Sequence, residues 1–213
     1  MAAILCYVTD RAALPAPGTD TLLGVIRRAI AAGVDWIQLR EKNLTGRALA
    51  ALARDAVAAA HGSSTRIVIN GRVDVAVAAR AGGVHLGGVA LPVEEVAIWC
   101  AHHLAEIAPP FLVGASCHSF AEARAAERDG AHYIFFGPVF STPAKTQYGP
   151  PQGISRLEEV CRAVRIPVLA IGGVTLSNAQ ECLRAGAAGI AAIRLFQESE
   201  DLRKTVAGLR GAL

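Results

Sequence analysis

Ala32-Gly33-Val34-Asp35-Trp36-Ile37-Gln38-Leu39-Arg40 reads as the end of one helix and the start of one buried strand. Glycine just past a helix takes φ > 0 without steric cost, so it closes the helix. The apolar run after it suits a strand, and its polar tail suits a strand end that reaches solvent. The same passage returns as Ala81-Gly82-Gly83-Val84-His85-Leu86-Gly87 and as Asp129-Gly130-Ala131-His132-Tyr133-Ile134-Phe135-Phe136-Gly137. A fourth copy runs Ala185-Gly186-Ala187-Ala188-Gly189-Ile190-Ala191-Ala192-Ile193-Arg194. The copies lie about fifty residues apart, room for two strand–helix units each. Between them stand four more short apolar runs, Ile4–Thr9, Ile67–Asn70, Leu112–Ser116 and Val168–Ile171. Eight strands alternating with helices predict a TIM-type (β/α)8 barrel, one domain over 1–213. An open doubly wound sheet alternates in the same way, but no Gly-rich dinucleotide fingerprint follows the first strand.

Helix starts keep the same register. Thr45 stands before Gly46-Arg47-Ala48-Leu49 as an N-cap, and Pro92 suits a first helical turn. Ser119-Phe120-Ala121-Glu122 and Ser177-Asn178-Ala179-Gln180 both have capping-box spacing. The Pro- and Gly-rich stretch 141–153 is the longest loop and is expected to act as a mobile active-site lid.

Composition narrows the function classes. The 213 residues are 53% hydrophobic and poor in aromatics, as suits parallel strands buried on both faces under Ala-rich helices. The formal net charge of +3 is spread without a basic run, which argues against nucleic acid or a membrane surface as partner. Cys6, Cys100, Cys117, Cys161 and Cys182 form no C-x-x-C pair and no zinc spacing. An odd, scattered set reads as reduced core thiols, and the start lacks a signal peptide's pattern, so a cytoplasmic location is expected.

In such a barrel the reactive groups sit where strands end at the C-terminal face. The second strand ends Gln38-Leu39-Arg40-Glu41-Lys42, where alternation sets Gln38, Arg40 and Lys42 on one side, able to converge on an anion. The third ends at Asn70-Gly71-Arg72 and the fifth at Ser116-Cys117-His118. A histidine after a strand serves as an acid or base or as a structural hydrogen-bonder. The sixth strand leads into Thr142 and Lys145, a hydroxyl and a cation suited to closing over a diphosphate. The seventh ends Gly172-Gly173 and the eighth Ile193-Arg194, the place where this fold recurrently binds phosphate.

Taken in order, Gln38-Leu39-Arg40-Glu41-Lys42, Asn70, Gly83-Val84-His85-Leu86-Gly87, Gly137-Pro138-Val139-Phe140-Ser141-Thr142-Pro143-Ala144-Lys145 and Ile171-Gly172-Gly173-Val174-Thr175 resemble the thiamine phosphate synthase/TenI family. The resemblance covers almost the whole chain. It implies that Gln38, Arg40, Lys42, Asn70 and Lys145 would contact hydroxymethylpyrimidine diphosphate, while Thr142, Gly172 and Gly173 would hold a thiazole phosphate. In a synthase the two substrates join and diphosphate leaves, usually assisted by Mg²⁺ together with cationic side chains.

Several positions depart from that pattern. The synthase pattern has Mg²⁺-binding aspartates directly after the asparagine and shortly after His-Leu-Gly, where this chain has Gly71 and Ala90. The TenI-branch tautomerase histidine would follow the sixth-strand glycine, where this chain has Pro138. That leaves His118, Cys117 or Lys145 to move a proton. Arg194 replaces a small serine beside the phosphate, where it either binds the anion or fills the pocket.

The missing aspartates favour TenI-like tautomerase or salvage chemistry without a cofactor, with His118 and Lys145 as catalytic candidates. Authentic synthase chemistry with Mg²⁺ is the alternative, and a non-catalytic ligand-binding regulator a second one. Apolar helix faces are compatible with a homodimer.

Overall fold

A computed structural model describes residues 3–106, 110–142 and 150–211. The chain begins with β1 (Ile4–Val8), a short 3-10 turn (Arg11–Ala13) and α1 (Thr19–Ala31), followed by β2 (Trp36–Leu39) and α2 (Gly46–Ala60). Next come β3 (Arg66–Asn70), α3 (Val73–Ala78), β4 (Gly83–Leu86) and α4 (Val93–His103). The second half holds β5 (Leu112–Cys117), α5 (Phe120–Arg128), β6 (Tyr133–Phe136) and α6 (Gly153–Ala163). It closes with β7 (Val168–Ile171), α7 (Ala179–Arg184), β8 (Gly189–Ala192), α8 (Arg194–Gln197) and α9 (Leu202–Gly211). The strands pair in sequence order, all parallel, and β1 pairs with β8 to close the barrel. This is the TIM fold.

Two layers of apolar packing hold it together. Outside the sheet, Leu22, Ile26, Ile37, Leu39, Ile69, Ile134, Leu157 and Phe196 fill the space between strands and helices. Inside, Cys6, Val8, Tyr133, Phe135, Leu169 and Ala191 plug the barrel, with Trp36 partly buried against them. Trp36 meets the Tyr133 ring edge-on at 4.6 Å. Space for Tyr133 comes from Gly114 on the neighbouring strand, where an added Cβ would stand 2.1 Å from the tyrosine ring. A plugged barrel leaves its C-terminal mouth as the natural place for a ligand.

The punctuating glycines act as expected at three copies: Gly33, Gly130 and Gly186 lie at φ +82°, +92° and +97°. In the second copy the left-handed residue is Arg80 at φ +54°, and Gly82 leads directly into β4. Thr45 caps α2 by accepting from the Ala48 N–H at 3.3 Å. Ser119 caps α5 through the Glu122 N–H at 3.2 Å, while Glu122 reaches back to the His118 N–H at 2.6 Å. Pro92 is the N-cap of α4, one position before its first turn. The Ser177–Gln180 box does not form. α7 begins one residue later behind Asn178, whose side chain serves the preceding loop, and Gln180 accepts from Arg184 at 2.9 Å. Of the stretch 141–153 expected to form a lid, 143–149 lies outside the described residues, as does Lys145.

Candidate active site

Strand β2 sends Gln38 into the barrel, where it is 2% exposed, and its Nε2 donates to Asn70 Oδ1 of β3 at 3.0 Å. Pairing matters here, because an unpartnered buried amide costs more than the roughly 1 kcal/mol a satisfied one contributes. The bond leaves Asn70 Nδ2 as a donor for a ligand, and Asn70 is itself only partly buried. Strand geometry ends at Leu39, and Arg40 follows it directly, partly buried at the strand end. Lys42 stands in an exposed turn two residues on. Neither cation makes a side-chain hydrogen bond or ion pair within the described residues.

A network that the sequence did not announce fixes this strand end. The Arg40 N–H donates to Thr9 Oγ1 at 3.0 Å, and the Thr9 hydroxyl donates to Glu41 Oε1 at 2.6 Å. Glu41 also accepts the Arg11 N–H at 3.1 and 3.2 Å, joining the loop after β1 to the loop after β2. Burial pushes the Glu41 carboxyl above the usual glutamate range, while its bonds to Thr9 and Arg11 pull the other way. The sequence signal was weak: a carboxylate flanked by two cations, on the opposite parity from Gln38.

The opposite side of the mouth is made of backbone. Gly172 and Gly173 follow β7 at φ +95° and +67°. An added Cβ at Gly172 would meet the Pro138 Cα at 2.6 Å, and one at Gly173 would meet the Ser141 carbonyl oxygen at 2.6 Å. The strand-like extension after β6 lies against them, with Val139 N–H donating to Ile171 O at 2.9 Å and Phe140 N–H to Gly172 O at 3.0 Å. Asn178 fastens the far side, donating to Gly173 O at 3.0 Å and accepting the Thr175 N–H at 2.8 Å. Only glycine fits this arch. Thr142, partly buried, continues the extension, and exposed Arg194 opens the four-residue α8 just after β8.

The candidate proton carriers are placed differently from one another. His118 bridges strands: its Nδ1 donates to the Gly137 carbonyl and its backbone N–H is held by Glu122. The Cys117 thiol is buried on the helix side of the sheet, and burial pushes it up to about 12. Cys117 is thereby removed as a proton carrier at the mouth. Ser116, on the inner face of β5, pairs with the buried His85 of β4 at 2.8 Å, a contact that the sequence reading did not single out.

The residues at the family's metal positions do not fit a protein-held Mg²⁺, which takes oxygen ligands. Gly71 has no side chain and sits at φ +69° with open space around its Cβ position. Ala90 offers a methyl group. The nearby Asp74 is clasped by Arg72 through both carboxylate oxygens, at 2.8 and 2.6 Å. Among the described residues no group of three or more His, Cys, Asp or Glu side chains could hold a metal ion.

Fold and site together define a closed parallel (β/α)8 barrel with a polar strand-end cluster facing a glycine arch across its C-terminal mouth. The family model described as thiamine monophosphate synthase matches residues 5–196. A putative thiamine-phosphate synthase of Geobacter sulfurreducens is 42% identical over 209 residues, covering 98% of this chain and 93% of that protein. A thiamine-phosphate synthase of Roseiflexus castenholzii is 38% identical, covering 89% of this chain and 79% of that protein. The solved thiamine phosphate pyrophosphorylase of Pyrococcus furiosus superposes with a TM-score of 0.82 at 34% identity, covering 99% of this chain and 95% of the other.

The chain belongs to the thiamine monophosphate synthase family. The names of these relatives go with the transferase alternative rather than with the isomerase reading drawn from the missing aspartates. No helix among the described residues is long and apolar enough to cross a membrane.

Proposed function

We propose that the protein joins hydroxymethylpyrimidine diphosphate to a thiazole phosphate, forming thiamine phosphate and releasing diphosphate. The observation that carries this reading is the buried Pro138, packed on the Gly172 arch at the position where an isomerase of this family would need its histidine. A proline ring holds no transferable proton. The synthase reaction needs none: the methylene C–O bond breaks with its electron pair leaving on diphosphate, and the thiazole nitrogen lone pair forms the new C–N bond.

The protein's part is then to orient two substrates and to stabilise the departing charge. Gln38 and Asn70 hold the pyrimidine side, with Ser116 beside them. Arg40 and Lys42, joined by Lys145 from the segment after β6, meet the diphosphate. Thr142 and the Gly172–Gly173 arch receive the thiazole phosphate, and Arg194 at the start of α8 supplies a further cation for it. The Gly71 and Ala90 positions supply no metal ligand in this reading, so the side-chain cations carry more of the neutralisation. His118, committed to the Gly137 carbonyl, shapes the mouth.

The decisive experiment incubates the purified protein with both substrates in the presence and absence of Mg²⁺ and measures thiamine phosphate and diphosphate in equal amounts. Conversion of a thiazole tautomer by the protein, with no thiamine phosphate formed, would overturn the reading.

A further inference from the structure

Three side chains form a buried polar line through the plugged barrel, from its middle to its mouth. Tyr133 Oη lies 3.2 Å from His85 Nδ1, and His85 Nε2 lies 2.8 Å from Ser116 Oγ. Tyr133 and His85 are each 1% exposed, whereas Ser116 is partly exposed at the strand end. Phe135 packs over the imidazole with ring centroids 4.1 Å apart, which holds the ring plane. Such a line is costly unless every proton has an acceptor.

The order of protons along the line follows from that requirement. Among the described residues the Tyr133 hydroxyl has no hydrogen-bond partner but His85, so its proton goes to Nδ1. Burial also holds the phenol protonated, well above its usual range. With Nδ1 accepting, a neutral imidazole carries its proton on Nε2 and donates it to Ser116 Oγ. Ser116 has no other hydrogen bond among the described residues, so its own proton is left for the mouth.

We propose that His85 is a positioning residue. With Tyr133 behind it, His85 fixes the Ser116 hydroxyl as a donor toward the ligand, so the ligand atom facing Ser116 is an acceptor such as a ring nitrogen or a phosphoryl oxygen. This rests on the synthase reading for the identity of the ligand. The tautomer order stands without it.

The test has two independent arms. In the ligand-free protein, through-bond ¹⁵N–¹H correlation of the His85 ring is expected to show a protonated Nε2 and a bare Nδ1. A protonated Nδ1 with a bare Nε2 overturns the relay, whatever the protein catalyses. In the kinetic arm, His85→Phe keeps the stack on Phe135 but removes the donor, and is expected to lower kcat/KM by ~10-fold or more, as loss of a buried hydrogen bond does. His85→Gln, which restores an N–H toward Ser116, is expected to recover most of that loss. In a Ser116→Ala background, His85→Phe is expected to change kcat/KM by less than ~2-fold, because residues acting through one contact are not additive. Full additivity, or failure of His85→Gln to recover activity while its melting temperature matches the wild type, refutes the positioning role. Absence of thiamine phosphate with the unmodified protein refutes the synthase reading and leaves the tautomer measurement to judge the relay.

Discussion

The two sides of the barrel mouth solve the same problem with different materials. On the β2–β3 side, side chains do the holding: Gln38 bonds Asn70, and Thr9 and Glu41 pin the backbone from which Arg40 projects. On the β6–β7 side, backbone does it: Gly172 and Gly173 curve against Pro138 and Ser141 at distances where no Cβ fits. Side-chain sites tolerate substitution in steps, since each bond lost is one term among several. A backbone arch has no such gradation, because its shape fails as soon as an atom is added.

That contrast sets the order of expected effects. Gly172→Ala puts a Cβ onto the Pro138 backbone from a left-handed conformation, and the two penalties together reach about 2–4 kcal/mol. A lowered melting temperature and loss of thiazole phosphate binding by calorimetry are expected; unchanged binding would show that the arch is not the phosphate site. Arg40→Ala should leave the melting temperature nearly unchanged while raising KM for the pyrimidine diphosphate ~10- to 100-fold, the worth of one charge-assisted hydrogen bond. An equal rise in KM for the thiazole phosphate would erase the proposed division between the two sides.

Glu41→Gln is expected to be the mildest, and its signature is pH dependence. The folded protein holds the Glu41 proton more tightly than the unfolded chain does, so this group's contribution to stability is fullest at low pH. It falls as pH rises from the ordinary glutamate range through the raised folded value. Glutamine has no such slope. The melting-temperature gap between wild type and variant should therefore narrow as pH rises above about 4. A gap that widens over that range would mean that the hydrogen bonds from Thr9 and Arg11 outweigh burial.

Reading the chain alone located the strands within a residue or so, because apolar runs bounded by glycine obey local rules that do not depend on distant contacts. It also picked out Gln38, Asn70, Ser116, Gly172 and Gly173, since strand ends are positions that the repeat itself marks. The same reading missed the partners. Nothing near Arg40 in sequence points to Thr9, and nothing near Ser116 points to His85 or Tyr133, because those bonds cross between strands whose register is set by closure of the sheet. Alternation does not by itself place Lys42 beside Gln38 and Arg40, because the strand ends at Leu39 and Lys42 stands in the turn that follows. The missing aspartates read as evidence for an isomerase even though Pro138 stands where that branch places its histidine, and the names of the relatives go with the transferase.

The sequence by itself determined the barrel, its strand order and the positions that line its mouth, since hydrophobic periodicity and helix-ending glycines act over a few residues. Only the tertiary structure decided what each of those positions does. Gln38 reaches Asn70, Cys117 turns to the helices, Asp74 is spent on Arg72, and His85 stands between a phenol and a serine. Hydrogen bonds and burial depend on which strand lies beside which and at what register. Those distances exist only once the chain has closed on itself.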